Sequence, residues 1–265
     1  MAYMKKVISW MSVVLSFCIM IPKSNAAQMS QFSTIKQDTL VVGTYFTNPP
    51  FEFIKEGKRV GFEVDLLNAI CQRLKLKCEF VDTTWEGILT RLENQQYDAI
   101  VGGITITEER SKTLNFSIPY MTTTLSVLID QRSSSSIQSL GDLKGKTIGV
   151  QAETTDQDIA QKMLKENQIA KMMVYPFANM DQAISDLEKG VIDAFFKVFP
   201  VAYYLAKTDS SLRVVAQIPN DPQPLGIAFN KKNSKLLEAF NQALKNIQED
   251  GTYQTIYHKW FPKTP

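Results

Sequence analysis

With 265 residues, 29 of them basic and 27 acidic, the chain has room for one large domain or two small ones and too even a charge to favour nucleic acid or an anionic membrane. A single histidine, His258, and three cysteines supply too few soft ligands for a Cys-His metal centre, so neither a metal nor a cofactor is expected.

In chain order the first element is a leader. Met1 to Lys6 is basic, Val7 to Ile21 is apolar, and Ser24-Asn25-Ala26 offers a small-x-small cleavage site, which together read as a secretory signal peptide over residues 1–26. Bulky Phe17 argues against lipidation at Cys18. Cleavage removes three lysines and leaves 26 basic against 27 acidic residues, a net charge of −1, and no later apolar run reaches spanning length. Only Cys71 and Cys78 remain, in AICQRLKLKCEFVD. An even count in an exported chain argues for a disulfide, with two free buried thiols as the alternative.

The strand LVVGTY (40–45) is followed by a loop and the helix GFEVDLLNAICQRL (61–74), and the strand KTIGVQ (146–151) by the helix TTDQDIAQKMLKE. Between and after them two stretches repeat one layout. TRLENQQYDAIVGG (90–103) and SDLEKGVIDAFFKV (185–198) each carry Leu-Glu on an amphipathic helix and then Asp-Ala at a strand start, so that Asp98-Ala99 recurs as Asp193-Ala194. Strand, helix, strand at this spacing implies parallel pairing, and its occurrence twice implies two α/β lobes. The polar run Gln131 to Ser136 and the proline-rich Pro219 to Pro224 mark two crossings. The trailing helix SKLLEAFNQALKNIQED then needs a partner, so the second lobe reads as an insertion. Expected boundaries are 1–26 for the leader, 27–128 with 224–265 for lobe 1, and 129–223 for lobe 2, joined by two strands that act as a hinge.

Ligands in open α/β sheets sit beyond the carboxyl ends of the strands. Here those ends are Thr44 to Asn48, Gly102 to Thr107, Gln151 to Thr155, and Lys197 with Val198. In VGGITITEER (101–110) the glycines allow close approach of a ligand to the backbone. Thr107 reads as an N-cap, which seats Arg110 in the first helical turn, where the helix dipole disfavours a cation. With Thr105 and Thr107, the planar fork of Arg110 forms a grip suited to a carboxylate.

GITITEERSKTLNFSIPY, with GFEVDLLNAICQRL, resembles the bacterial extracellular solute-binding proteins, family 3, that deliver polar amino acids to ABC importers, histidine-, arginine- and glutamine-binding members among them. The resemblance runs through nearly all of the chain after the leader. It implies a two-lobed periplasmic-binding-protein fold of type II, each lobe a mixed, mainly parallel sheet flanked by helices. It implies that Arg110 binds a ligand α-carboxylate with Gly103, Thr105 and Thr155, and that Cys71 and Cys78 are bridged as in the histidine-binding members. A monomer in the periplasm, partnered by a membrane permease, is implied as well.

Three positions depart from the family. Val198 stands where an aspartate holds the ligand ammonium, and a buried ammonium without a counter-charge is costly. Glu153, where glycine is usual, and Asp156 are the candidate replacements, each also readable as a solvated loop residue. Asn48 stands where an aromatic often covers the ligand side chain, so Tyr45, Phe46 and Trp85 are candidates for that wall. Lys197 is a candidate contact for a second ligand carboxylate. The alternatives to an amino-acid receptor are a binder of an amine-free carboxylate, a cyclohexadienyl or prephenate dehydratase-like enzyme with Glu153 as its acid, and a sensory domain. The absence of a nucleophile paired with a base, and the place of His258 in the last helix, TIYHKWF, favour a binder over an enzyme.

Overall fold

The computed structural model describes residues 32–261, so the proposed leader lies outside them. Leu40 and Val42 alternate inward in the first strand, β1 (Thr39–Thr44), with no exposed face at all, the pattern of a strand covered on both sides. A short hairpin of β2 (Thr47–Asn48), β3 (Glu52–Lys55) and β4 (Lys58–Val60) follows. It leads through Gly61 into α1 (Phe62–Leu74). A side chain at Gly61 would collide with the Phe51 carbonyl at 2.0 Å, so the close seat of α1 on the hairpin requires glycine there. Phe62, Leu66, Leu67, Ile70 and Cys71 form the buried stripe of this helix. Cys71 is disulfide-bonded to Cys78, tying the helix end to β5 (Lys77–Asp82).

Next come α2 (Ile88–Glu93), β6 (Ala99–Ile100), α3 (Glu108–Thr113) and β7 (Leu114–Phe116). The long β8 (Met121–Asp130) crosses to the second half. That half contains β9 (Thr147–Gln151), α4 (Thr155–Lys165), β10 (Lys171–Tyr175), α5 (Met180–Glu188), β11 (Ala194–Val198) and α6 (Phe199–Thr208). The return strand β12 (Leu212–Leu225) leads to β13 (Ala228–Asn230), α7 (Ser234–Glu249) and α8 (Thr252–Trp260).

The two halves repeat one design. The first sheet has the order β5-β1-β6-β13-β7 and the second β10-β9-β11-β8-β12. In each, one strand, β13 or β8, runs against the other four, so each sheet is mixed and mainly parallel. The Asp-Ala repeat has a physical basis. Asp98 accepts the Val41 N–H at 2.9 Å and Asp193 accepts the Thr147 N–H at 2.8 Å, so the carboxylate just before β6 pins β1 beside it and the one just before β11 pins β9. The Pro-rich segment near residue 220 is part of β12, not a break. It lies on the sheet edge with a register shift between Gln217 and Pro222, where prolines are tolerated.

Candidate functional site

The strand ends of both sheets meet around one small cavity. Tyr45, Asn48, Trp85, Gly102, Gly103, Thr105 and Arg110 line it from the first half, and Thr154, Thr155, Asp156, Phe177, Lys197 and Val198 from the second. Seven of the eight candidate ligand residues, Tyr45, Trp85, Gly103, Thr105, Arg110, Thr155 and Lys197, are therefore brought together. Glu153 is not. It is exposed, in a left-handed turn at φ 60°, and that backbone conformation, easy only for glycine, turns its side chain away while its carbonyl faces Arg110.

Arg110 occupies the seat expected of it. Thr107 caps α3 by accepting the Arg110 backbone N–H at 3.1 Å. The guanidinium folds back to donate to the Thr105 carbonyl at 2.9 Å and reaches across the cleft to the Glu153 carbonyl at 3.1 Å. Its carbon lies 5.4 Å from the centre of the Trp85 ring. Burial pulls the Arg110 pKa below its ordinary value, opposed by Asp158, Tyr45 and Asp156. A cation bonded to both halves but to no carboxylate keeps electrostatic capacity for an anion.

Gly102 and Gly103 form the cradle, with φ of 152° and 61°. A Cβ on Gly102 would lie 2.3 Å from the Tyr45 hydroxyl, which donates to the Gly102 carbonyl at 2.6 Å. Behind the cradle lie two carboxylates, Glu52 and Glu63, both fully buried. Glu63 accepts the Gly103 N–H at 3.0 Å and the Tyr120 hydroxyl at 2.5 Å, and Glu52 accepts from the Asn48 amide at 3.1 Å. Burial, which disfavours the charged form, then for Glu52 the charge of its neighbour Glu63, holds both acids above the ordinary carboxylate range.

On the opposite wall, Asp156 sits in the first turn of α4, 2 % exposed, where the helix dipole favours its charge. Burial pushes its pKa up, while Lys197 and Arg110 pull it down. Lys197, 3 % exposed, has its ammonium 3.3 Å from Asp156 Oδ2 and donates to Gln151 at 2.7 Å. Phe46, a candidate for the aromatic wall, is instead packed against Phe80 under Arg59, outside the cavity. Phe177 takes that place, with ring centroids 4.6 Å from Tyr45 and 5.4 Å from Trp85. Sequence reasoning missed it, although it follows the end of β10 and the strand-end rule applies to it as to the others. Among the described residues no cluster of three His, Cys, Asp or Glu side chains could hold a metal ion.

Two α/β lobes linked by two strands, with a polar cavity at their strand ends, define a type II periplasmic-binding-protein fold. The family comparison agrees: residues 40–263 match the model of the bacterial extracellular solute-binding proteins, family 3, and the chain belongs to that family. It is 36% identical over 229 residues to an arginine-binding periplasmic protein of Mannheimia haemolytica, covering 84% of this chain and 91% of that one. It is 32% identical to an L-cystine-binding protein of Escherichia coli (strain K12), covering 85% and 84%. Among solved structures it resembles an ancestral amino acid-binding protein, a precursor of cyclohexadienyl dehydratase, with a TM-score of 0.76, 36% identity, and coverage of 84% and 96%.

Proposed function

We propose that this chain is the exported receptor of an ABC importer that closes its lobes, residues 27–128 with 224–265 and residues 129–223, over a polar α-amino acid. Arg110 grips the α-carboxylate, assisted by Gly103, Thr105 and Thr155. Asp156 takes the role of the aspartate missing at Val198, and Asn48 assists it. The observation that carries this reading is a pair of buried acceptors in the cavity: Asn48 Oδ1 has no hydrogen-bond partner, and Asp156 Oδ2 accepts no hydrogen bond although the Lys197 ammonium lies 3.3 Å away. Buried polar atoms are nearly always satisfied, so two such acceptors opposite a guanidinium complement a ligand with an ammonium at one end and a carboxylate at the other.

Binding needs no chemistry in this reading. Contacts made only when the lobes are closed shift the hinge equilibrium and present the closed shape to a membrane permease. The mature receptor, cleaved after residue 26, acts as a monomer in the periplasm without a cofactor. A dehydratase would need a proton-donating carboxyl in the cleft. Glu153 faces away from it and Asp156 is paired with Lys197, which favours a receptor over an enzyme.

The test is a thermal-shift screen of residues 27–265, stripped of carried-over ligand by partial unfolding, against the twenty amino acids, cystine, dicarboxylates, keto acids and prephenate. Stabilisation of roughly RT ln(1 + [L]/Kd) by one or a few α-amino acids, lost in Arg110→Ala, is expected. A response only to amine-free acids, or consumption of prephenate, would overturn the reading.

A further inference from the structure

We infer that Lys197 sets the ligand class: the cavity accepts an α-amino acid whose side chain is neutral or acidic and turns away cationic ones. This rests on the amino-acid reading above and concerns the side chain alone.

Two kinds of group attract a cationic ligand inside a protein, carboxylates and aromatic faces. Among the described lining residues there is one carboxylate, Asp156, and it already has the Lys197 ammonium at 3.3 Å. The face of Phe177 has the same ammonium at 5.2 Å, and the face of Trp85 has the Arg110 guanidinium at 5.4 Å. The third ring, Tyr45, meets Trp85 and Phe177 edge-on, at interplanar angles of 82° and 62°. Its hydroxyl is donated to the Gly102 carbonyl. Apart from the Asn48 and Asp156 oxygens assigned to the ligand's α-ammonium, each cation-attracting feature of the wall is thus already engaged by the chain's own cations or by its own backbone and rings.

Charge points the same way. The lining groups are two cations and one anion, and a ligand zwitterion adds no net charge, so a side-chain carboxylate or a neutral side chain fits and a guanidinium or ammonium is repelled at short range with little solvent to screen it. The buried acids Glu52 and Glu63 do not line the cavity. Their oxygens are covered on that side by the Asn48 amide and the Gly103 N–H. Lys197 is well placed for the role because it is buried and held: an ammonium carries three donors, Gln151 takes one at 2.7 Å, and Asp156 lies beside it.

Calorimetry of stripped residues 27–265 with L-glutamate, L-glutamine, L-arginine and L-lysine tests the assignment. Glutamate or glutamine should bind at least about tenfold more tightly than arginine and lysine, a difference of about 1.4 kcal/mol. In Lys197→Gln, which keeps a polar group beside Asp156 and Gln151, the ratio of arginine to glutamate dissociation constants should fall by about tenfold or more. Lys197→Met should shift the ratio in the same direction. Tighter binding of arginine or lysine by the wild type, or an unchanged ratio in a variant that still binds, would overturn this assignment alone. No response to any of the four would overturn this assignment, while the amino-acid reading stands or falls by the wider screen above.

Discussion

The backbone N–H of Phe177 donates to the carboxylate of Glu86 at 2.8 Å across the cleft. Beside it the Trp85 indole N–H reaches the Ala152 carbonyl at 3.2 Å, so consecutive residues of one loop each bind the opposite half. Such bonds exist only when the halves are together. Loss of a charge-assisted bond costs about 1.5–3 kcal/mol, so Glu86→Ala should weaken ligand binding by roughly tenfold or more, with most of the change in the dissociation rate. Stopped-flow kinetics on the variant measures it, and an unaltered dissociation rate would show that this contact does not hold the lobes closed.

Arg110→Lys should fail almost as badly as removal of the side chain. The guanidinium serves the Thr105 carbonyl, the Glu153 carbonyl and the cavity at once, and an ammonium cannot reproduce that planar fork. A loss of about 100-fold in affinity, near 2.7 kcal/mol, is expected by calorimetry, with the melting temperature of the ligand-free chain little changed.

A pH effect follows from Glu52 and Glu63. Both carboxyls are raised by burial, so between the ordinary glutamate range and the higher native values the folded state binds more protons than the unfolded one, and stability falls as pH rises through that window. Glu52→Gln removes one of the two raised carboxyls. The stability of this variant relative to wild type should increase as pH rises above the ordinary glutamate range, by at most about 1.4 kcal/mol per unit. Urea titrations at several pH values read it, and a difference independent of pH would mean that the pair is ionised like surface acids.

Gly102→Ala should be severe for a change of one methyl group. The new Cβ would meet the Tyr45 hydroxyl and ring at 2.3 to 2.8 Å, displacing a side chain that is buried against Trp85 and Phe177. Overpacking of this kind costs about 1–3 kcal/mol, and binding should fall further because Tyr45 lines the cavity. Gly57→Ala, where a Cβ meets nothing within 4 Å, controls for the backbone effect, since its φ is also positive.

Removing the Cys71–Cys78 bridge should cost about 2–3 kcal/mol, since it closes a short loop. At this size that lowers the melting temperature by roughly 4–12 °C. Calorimetric scans of the double Cys→Ser variant measure the shift, which should leave ligand preference unchanged because the bridge lies at the far end of α1 from the cradle.

Much of this architecture was legible because it repeats. The Leu-Glu and Asp-Ala echoes pointed to equivalent strands, and β6 and β11 do lie beside β1 and β9 in matching positions. Arg110 was legible through its awkward helical seat. The acids near residue 155 could not be ranked from composition: Glu153 and Asp156 are three apart, and only the left-handed backbone at Glu153 turns one outward while α4 buries the other. Lys197 was visible at a strand end, but its partner Asp156 lies 41 positions earlier in the chain, and no local pattern links the two. Phe177 escaped because it lies past the end of an edge strand, β10, and its contacts with Tyr45, Trp85 and Glu86 join it to residues about 90 to 130 positions earlier, which no local pattern announces.

The place of β13 has a consequence for the order of assembly. Residues 228–230 fill the gap between β6 and β7, so the first sheet lacks its fourth strand until the whole of the second half has been made. The strands and helices between β8 and β12, by contrast, come from one continuous stretch. A chain built this way keeps its amino-terminal half from closing early. Refolding followed by pulsed hydrogen exchange should protect β9 to β11 before β1 and β6, with protection of β6 arriving together with that of α7.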